Sequence, residues 1–202
     1  TESPQTIIAR PDFSANTLKE LIEYIKANGA KVTYAHAGLG AASHLCGMLI
    51  QTALQTQVTT VPYKGNGPIM NDLLGKQVDM TCDQATNTTG PITSKQVKAY
   101  AVTTKTRMST FPDLPTADEA GLPGFEISVW HGVYAPKGTP PAIAKVWEDT
   151  LAKVYAMPEF QQSMALLGMH GPFAGKAQAQ EWVDREAKGW KEVIAKAGIR
   201  GE

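Results

Sequence analysis

Apolar positions along this chain switch repeatedly between helical and strand-like spacing. From Thr17 to Asn28, Leu18, Leu21, Ile22 and Ile25 fall on one helical face. Thr17 and Glu20 have the form of a capping box, and Asn28-Gly29 supplies a stop. Lys31 to Ala35 reads as a short strand. Beyond Gly38 and Gly40, Ser43 is placed to cap a helix with Leu45, Met48, Leu49 and Ala53 inward. Thr59 to Val61 predicts a second strand, closed by Pro62. Pro68 suits the first turn of a helix that carries Ile69, Leu73 and Leu74. Val78 to Cys82 and Lys98 to Thr103 read as third and fourth strands. Residues 105–125 are broken by Pro112, Pro115, Gly121, Pro123 and Gly124. Glu126 to Tyr134 is strand-like again and ends at Pro136, Gly138, Pro140 and Pro141. The remainder is helical. One apolar stripe is Ile143, Val146, Trp147, Thr150, Leu151 and Val154; another is Trp182, Val183, Trp190, Val193 and Ile194. Core packing is the expected role of Trp147, Trp182 and Trp190.

Strands separated by helices imply βαβ units, an α/β class and a mostly parallel sheet. In such sheets ligands gather beyond the carboxyl ends of strands. The segments to inspect therefore follow Ala35, Val61 and Cys82. The change to a helical tail predicts two structural regions that meet near residues 125–135.

Composition narrows the function. The chain has 202 residues, 43% hydrophobic and 19% charged, with a formal net charge of zero. That suits a globular protein and lacks the basic excess expected of a nucleic-acid or anionic-lipid binder. No run of about 18 apolar residues is present to span a bilayer. The first residue is Thr1 rather than Met, so a processed or trimmed product, its export signal removed, is expected. Cys46 and Cys82 match no zinc spacing and read as small buried residues, with a disulfide left open.

Three segments could carry chemistry. The first runs from Ala35 through His36, Ala37, Gly38, Leu39, Gly40, Ala41, Ala42 and Ser43 to His44. A small-residue loop between a strand and a helix start presents backbone N–H groups and the positive end of a helix dipole, which favours a carboxylate. Ser43 could add its hydroxyl, although capping its own helix competes for that oxygen. A plain turn that needs glycine is the alternative. The second segment is Pro62-Tyr63-Lys64-Gly65-Asn66-Gly67-Pro68, where Tyr63 offers a ring and a hydroxyl and Lys64 a positive charge. The third is Cys82-Asp83-Gln84, with Asp83 placed to accept from a ligand or to cap the next segment. Trp130, at the joint between regions, is placed to face a cleft.

Catalysis finds little support. The histidines at 36, 44, 131 and 170 have no metal-ligand spacing, and no dinucleotide fingerprint, P-loop or serine elbow occurs. A hydrolase built on Cys82 with His36 or His44 lacks any activation motif. No catalytic residue, metal or cofactor is expected.

The blocks Tyr34-Ala35-His36-Ala37-Gly38-Leu39-Gly40, Ser43-His44-Leu45, Val61-Pro62-Tyr63-Lys64-Gly65, Phe111-Pro112-Asp113-Leu114-Pro115-Thr116, Glu119-Ala120-Gly121-Leu122-Pro123-Gly124 and Ala135-Pro136-Lys137-Gly138-Thr139-Pro140 occur in a specific order. In that order they resemble the Bug-type periplasmic solute receptors of tripartite tricarboxylate transporters. The resemblance implies a two-lobed, type II periplasmic-binding-protein clamshell that closes over a small di-, tri- or aromatic carboxylic acid. It also implies delivery to membrane components of the transporter. The loop from Ala37 to Ser43 would hold the ligand carboxylate, with Tyr63, Lys64 and Asp83 nearby. His36 stands where the family usually has a small hydroxyl residue, and its imidazole could donate a charged hydrogen bond and alter ligand choice. The family's N-terminal stretch, with a Pro-Gly-Gly loop, has no counterpart. By this likeness residues 1–9 would be an interlobe crossing strand, 10–125 a nearly whole second lobe, and 126–202 the return to an incomplete first lobe. Such a gap predicts weaker binding and self-association, or a shortened interaction module that no longer binds solute; natural and proteolytic shortening both stay open.

Overall fold

The computed structural model describes residues 1–169 and 171–196, with the side chains of 192, 193 and 196 left aside. Among the described residues six strands are formed: β1 (Glu2–Ala9), β2 (Thr33–His36), β3 (Thr59–Pro62), β4 (Met80–Gln84), β5 (Lys98–Val102) and β6 (Ser128–Trp130). Seven α-helices accompany them: α1 (Leu18–Asn28), α2 (Ala42–Leu54), α3 (Asn66–Leu74), α4 (Ala85–Thr93), α5 (Pro141–Tyr155), α6 (Pro158–Leu166) and α7 (Lys176–Lys196).

The strand order is β3-β2-β4-β1-β5, with β6 on the first residues of β1. β2 runs parallel to β3 and β4, but β1 runs antiparallel to β4, β5 and β6. Five of the six strands therefore run the same way, as expected of a mostly parallel sheet, and β1 alone is reversed. A strand buried on both faces reads the same in either direction, so the apolar run Ile7-Ile8-Ala9 does not announce its orientation. Because β1 is reversed, its residues Gln5 and Thr6 lie beside the carboxyl ends of β4 and β5.

Both faces of the sheet are covered. Ile7 and Ala9 point to one face, where Leu18, Leu21 and Ile25 of α1 and Cys46, Ile50 and Leu54 of α2 pack on Tyr34 and Met80. Ile8 points to the other face, against Ala35, Ile69, Leu73, Val78 and Val97. This alternation is the two-residue period of a strand. Each fully buried Leu or Ile contributes about 1.5–3 kcal/mol. One half of the expected capping box of α1 forms: Thr17 Oγ1 accepts from the Glu20 amide at 3.2 Å, while the Glu20 carboxylate reaches one residue further back and accepts from the Asn16 amide at 2.7 Å.

α2 turns a different face inward from the one expected. Its buried residues are Ser43, Cys46, Gly47, Ile50 and Leu54, while Ala53 is exposed. The reason is Tyr34, a fully buried ring lying under Gly47. A β-carbon at Gly47 would sit inside the van der Waals envelope of that ring. The Tyr34 hydroxyl donates to the Ser43 carbonyl at 2.5 Å, so ring and helix are locked together. Gly47→Ala is expected to destabilise the protein by about 1–3 kcal/mol, the cost of overpacking a filled core. Urea unfolding would measure it.

Cys46 and Cys82 are fully buried and joined by a disulfide between α2 and β4. The bond left open in the sequence thus exists, and a Cys82 nucleophile is ruled out because the sulfur is no thiol.

The tail helices behave differently from the stripes drawn on them. Trp190 packs on the main core from α7. Trp182 is half-buried under the Arg185 guanidinium, 4.7 Å from the ring centre. Trp147 is 57% exposed, with Ile143 at 50% and Val146 at 65%, so the core role expected for it is wrong in this chain. The α5 stripe faces outward. The Val193 side chain and His170 lie outside the described residues.

Candidate functional site

The sheet brings the corner after β2 and the corner after β3 side by side. β2 and β3 are parallel neighbours, with His36 opposite Pro62. The Tyr63 amide donates to the His36 carbonyl at 2.8 Å, which ties the two corners. At the first corner, Gly38 and Gly40 adopt φ of 116° and 74°, which a side chain would resist. Leu39, at the tip, is 64% exposed.

Four loop amides are already used. The Ala37 amide donates to Ser43 Oγ at 3.0 Å. The Gly38 amide donates to His36 Nδ1 at 3.3 Å, and the Gly40 amide to His44 Nδ1 at 3.2 Å. The Ala41 amide donates to the Gly38 carbonyl at 3.2 Å. The expectation that the Gly38 and Gly40 amides aim at a ligand is therefore corrected: two neighbouring imidazoles, 4.6 Å apart between ring centres, occupy them. His36 is buried, and its Nδ1 acts as an acceptor toward its own loop rather than as a donor to a guest. Ser43 is corrected too. It sits one residue inside α2, spans the loop, and does not cap the helix.

The N-cap position falls instead on Ala41, whose backbone is extended and whose methyl can accept nothing. The first helical bond of α2 runs from the Leu45 amide to the Ala41 carbonyl. The amides of Ala42, Ser43 and His44 consequently have no acceptor among the described residues. Sequences favour Ser, Thr, Asp or Asn at this position because such side chains satisfy these amides. Here they remain with the positive end of the helix dipole, an arrangement suited to an anion. His44 beside them has its pKa lowered by burial and then by His36.

The remaining expected residues fall around the same edge. Tyr63 is half-buried, but its hydroxyl donates to Asp72 Oδ2 at 2.6 Å within its own corner, which pushes its pKa up to about 12. Lys64 is exposed. Asp83 is buried at the end of β4; its Oδ1 accepts from Asn66 Nδ2 at 2.7 Å, Asn87 Nδ2 at 3.1 Å and the Gln84 amide at 2.7 Å. It thus links α3 to α4, as well as standing at the rim. Trp130, half-buried, pairs with Glu2 where β6 meets β1. Gln5 lies inside the crossing strand expected over residues 1–9 but was not among the expected site residues. It is fully buried, and its Nε2 donates to the Ala42 carbonyl at 3.4 Å.

Burial raises the Asp83 pKa, against the lowering by its hydrogen bonds from Asn87 and Gln84. The folded chain then holds that proton at a pH where the unfolded chain has lost it, so this group's contribution favours folding increasingly as pH falls from neutrality toward the ordinary carboxylate range. Asp83→Asn is expected to remove that part of the slope. Denaturant unfolding of both proteins at pH 5 and pH 7.5 measures the difference.

Comparison with known proteins places this geometry. A family model described as the tripartite tricarboxylate transporter family receptor matches residues 1–199. The periplasmic binding protein BugD superposes with a TM-score of 0.93 at 50% identity, covering 100% of this chain and 68% of BugD. Rpa4515 of R. palustris, solved with adipate, superposes with a TM-score of 0.93 at 28% identity, covering 98% of this chain and 66% of that one. MatC (Rpa3494) from Rhodopseudomonas palustris, solved with bound malate, gives 0.89 at 32% identity, covering 96% of this chain and 67% of that one. Against a curated relative 44% identical to it, the chain spans 58% of the relative's length. The mixed α/β fold is that of periplasmic binding proteins, and by sequence and fold alike the chain belongs to the tripartite tricarboxylate transporter receptor family.

Proposed function

We propose that this chain is the ligand-holding part of a periplasmic receptor that captures a small carboxylic acid, without turning it over, for the membrane components of a tripartite tricarboxylate transporter. The carrying observation is the set of unpaired amides of Ala42, Ser43 and His44 at the start of α2. Three N–H groups and a helix dipole suit a carboxylate. Adipate in Rpa4515 and malate in MatC agree with a carboxylate ligand. In this reading the loop from His36 through Ala37, Gly38, Gly40 and Ala41 shapes the seat, and Tyr63, Lys64, Asp83 and Trp130 ring it. Residues 1–9 cross between lobes, 10–125 make the second lobe, and 126–202 return toward the first. Titration calorimetry against di-, tri- and aromatic carboxylates tests the proposal. Binding of at least one acid is expected; silence to all at millimolar concentration would sink it.

A second reading rests on α5. Its outward face bears Ile143, Val146 and Trp147, each at least half exposed. Apolar surface of that kind seeks cover. This chain alone is expected to self-associate through α5, with Trp147→Glu raising the monomer fraction in sedimentation velocity. A clean monomer for the unsubstituted chain would contradict that.

A further inference from the structure

We infer that Gln5 is a specificity-determining residue whose side-chain carbonyl accepts a hydrogen bond from the ligand, so the site takes carboxylic acids that carry a hydroxyl or ammonium group. The inference rests on the carboxylate reading above and narrows it. Gln5 lies opposite Gln84 in the sheet, and shares the face of β1 on which Ile7 packs toward α2. Its Nε2 is committed to the Ala42 carbonyl, the first residue of α2. With the nitrogen toward that carbonyl, the amide oxygen is the other end. Oε1 is buried and has no hydrogen-bond partner among the described residues.

Buried side-chain polar atoms are paired in the large majority of cases, because leaving an acceptor dry forfeits its hydration. This one is unpaired at the same helix end where three backbone donors are also unpaired. Donors beside an acceptor complement a molecule with an acid group and, close to it, an O–H or N–H. A plain dicarboxylate would satisfy the amides and leave Gln5 Oε1 without a partner. Sites built to hydrogen-bond a ligand group discriminate strongly against analogues that lack it.

Calorimetry with matched pairs tests this: succinate against malate and aspartate, glutarate against glutamate, and adipate against 2-aminoadipate. In at least one set the donor-bearing acid is expected to bind about tenfold tighter or more. Gln5→Met keeps the length of the side chain and removes the acceptor. It also removes the Nε2 bond to the Ala42 carbonyl, so both acids are expected to weaken, the donor-bearing one more, which brings the pair within about threefold. Equal affinity within every set, or a preference that survives Gln5→Met, would overturn the inference while leaving carboxylate binding intact. If Gln5→Met does not fold, the comparison in the unsubstituted protein decides alone. Silence to every acid overturns the carboxylate reading and this inference with it.

Discussion

Replacing Ala41 with aspartate is expected to stabilise the protein and, in the same stroke, to destroy its hold on carboxylates. Ala41 is the N-cap of α2, and its extended backbone is the conformation a capping residue uses. An aspartate there can turn its carboxylate onto the amides of Ser43 and His44. A gain of about 1 kcal/mol in folding free energy follows, as for other caps exchanged with alanine. The same carboxylate would occupy the seat proposed for the ligand and repel it. Losing two charge-assisted hydrogen bonds, at about 1.5–3 kcal/mol each, weakens binding by about a hundredfold or more. Opposite signs for stability and affinity distinguish this from general damage. Thermal unfolding and calorimetric titration of Ala41→Asp measure the two effects. Stabilisation with unchanged affinity would show that the acid sits elsewhere.

The second large effect is on the disulfide. Cys46 and Cys82 are 36 residues apart in sequence, and their bond fastens α2 to β4. A cross-link of that loop length stabilises by about 3–4 kcal/mol in the chain-entropy account. The double variant Cys46→Ala/Cys82→Ala is expected to lose about that much in urea unfolding. Asp83 follows Cys82 directly and Ser43 lies one turn before Cys46, so the bond also sets the distance between the two halves of the rim. Ligand affinity is therefore expected to fall in the double variant even under conditions where it is fully folded. A loss well under 1 kcal/mol would mean that packing alone holds the helix.

Much of this was legible in the residues. α1 announced itself through Thr17, Glu20 and a clean apolar face, because local chemistry and tertiary packing agree there. The strand ends were legible as well, including the place of Asp83 near the end of β4. The inward face of α2 was not. Periodicity counts large apolar side chains, whereas this helix approaches the sheet on Cys46 and Gly47, because the Tyr34 ring fills the space beneath. The direction of β1 was hidden by a run apolar on both faces. Gln5 was hidden for a different reason: a polar residue in the crossing strand gives no sign of what it faces, and only the antiparallel crossing places it under α2. The two histidines were placed correctly at the corner, but their Nδ1 atoms turn inward onto Gly38 and Gly40, which no spacing reveals. Sequence order carried the family, while which amides the chain leaves unused could be read only from the structure.

The most direct test watches those donors one by one. In a nitrogen–proton correlation spectrum, titration with a bound acid from the panel is expected to shift the amide signals of Ala42, Ser43 and His44 most strongly, moving their protons downfield as a carboxylate arrives. Saturating shifts confined to other amides, with these three unmoved, would contradict the placement of the ligand at the start of α2.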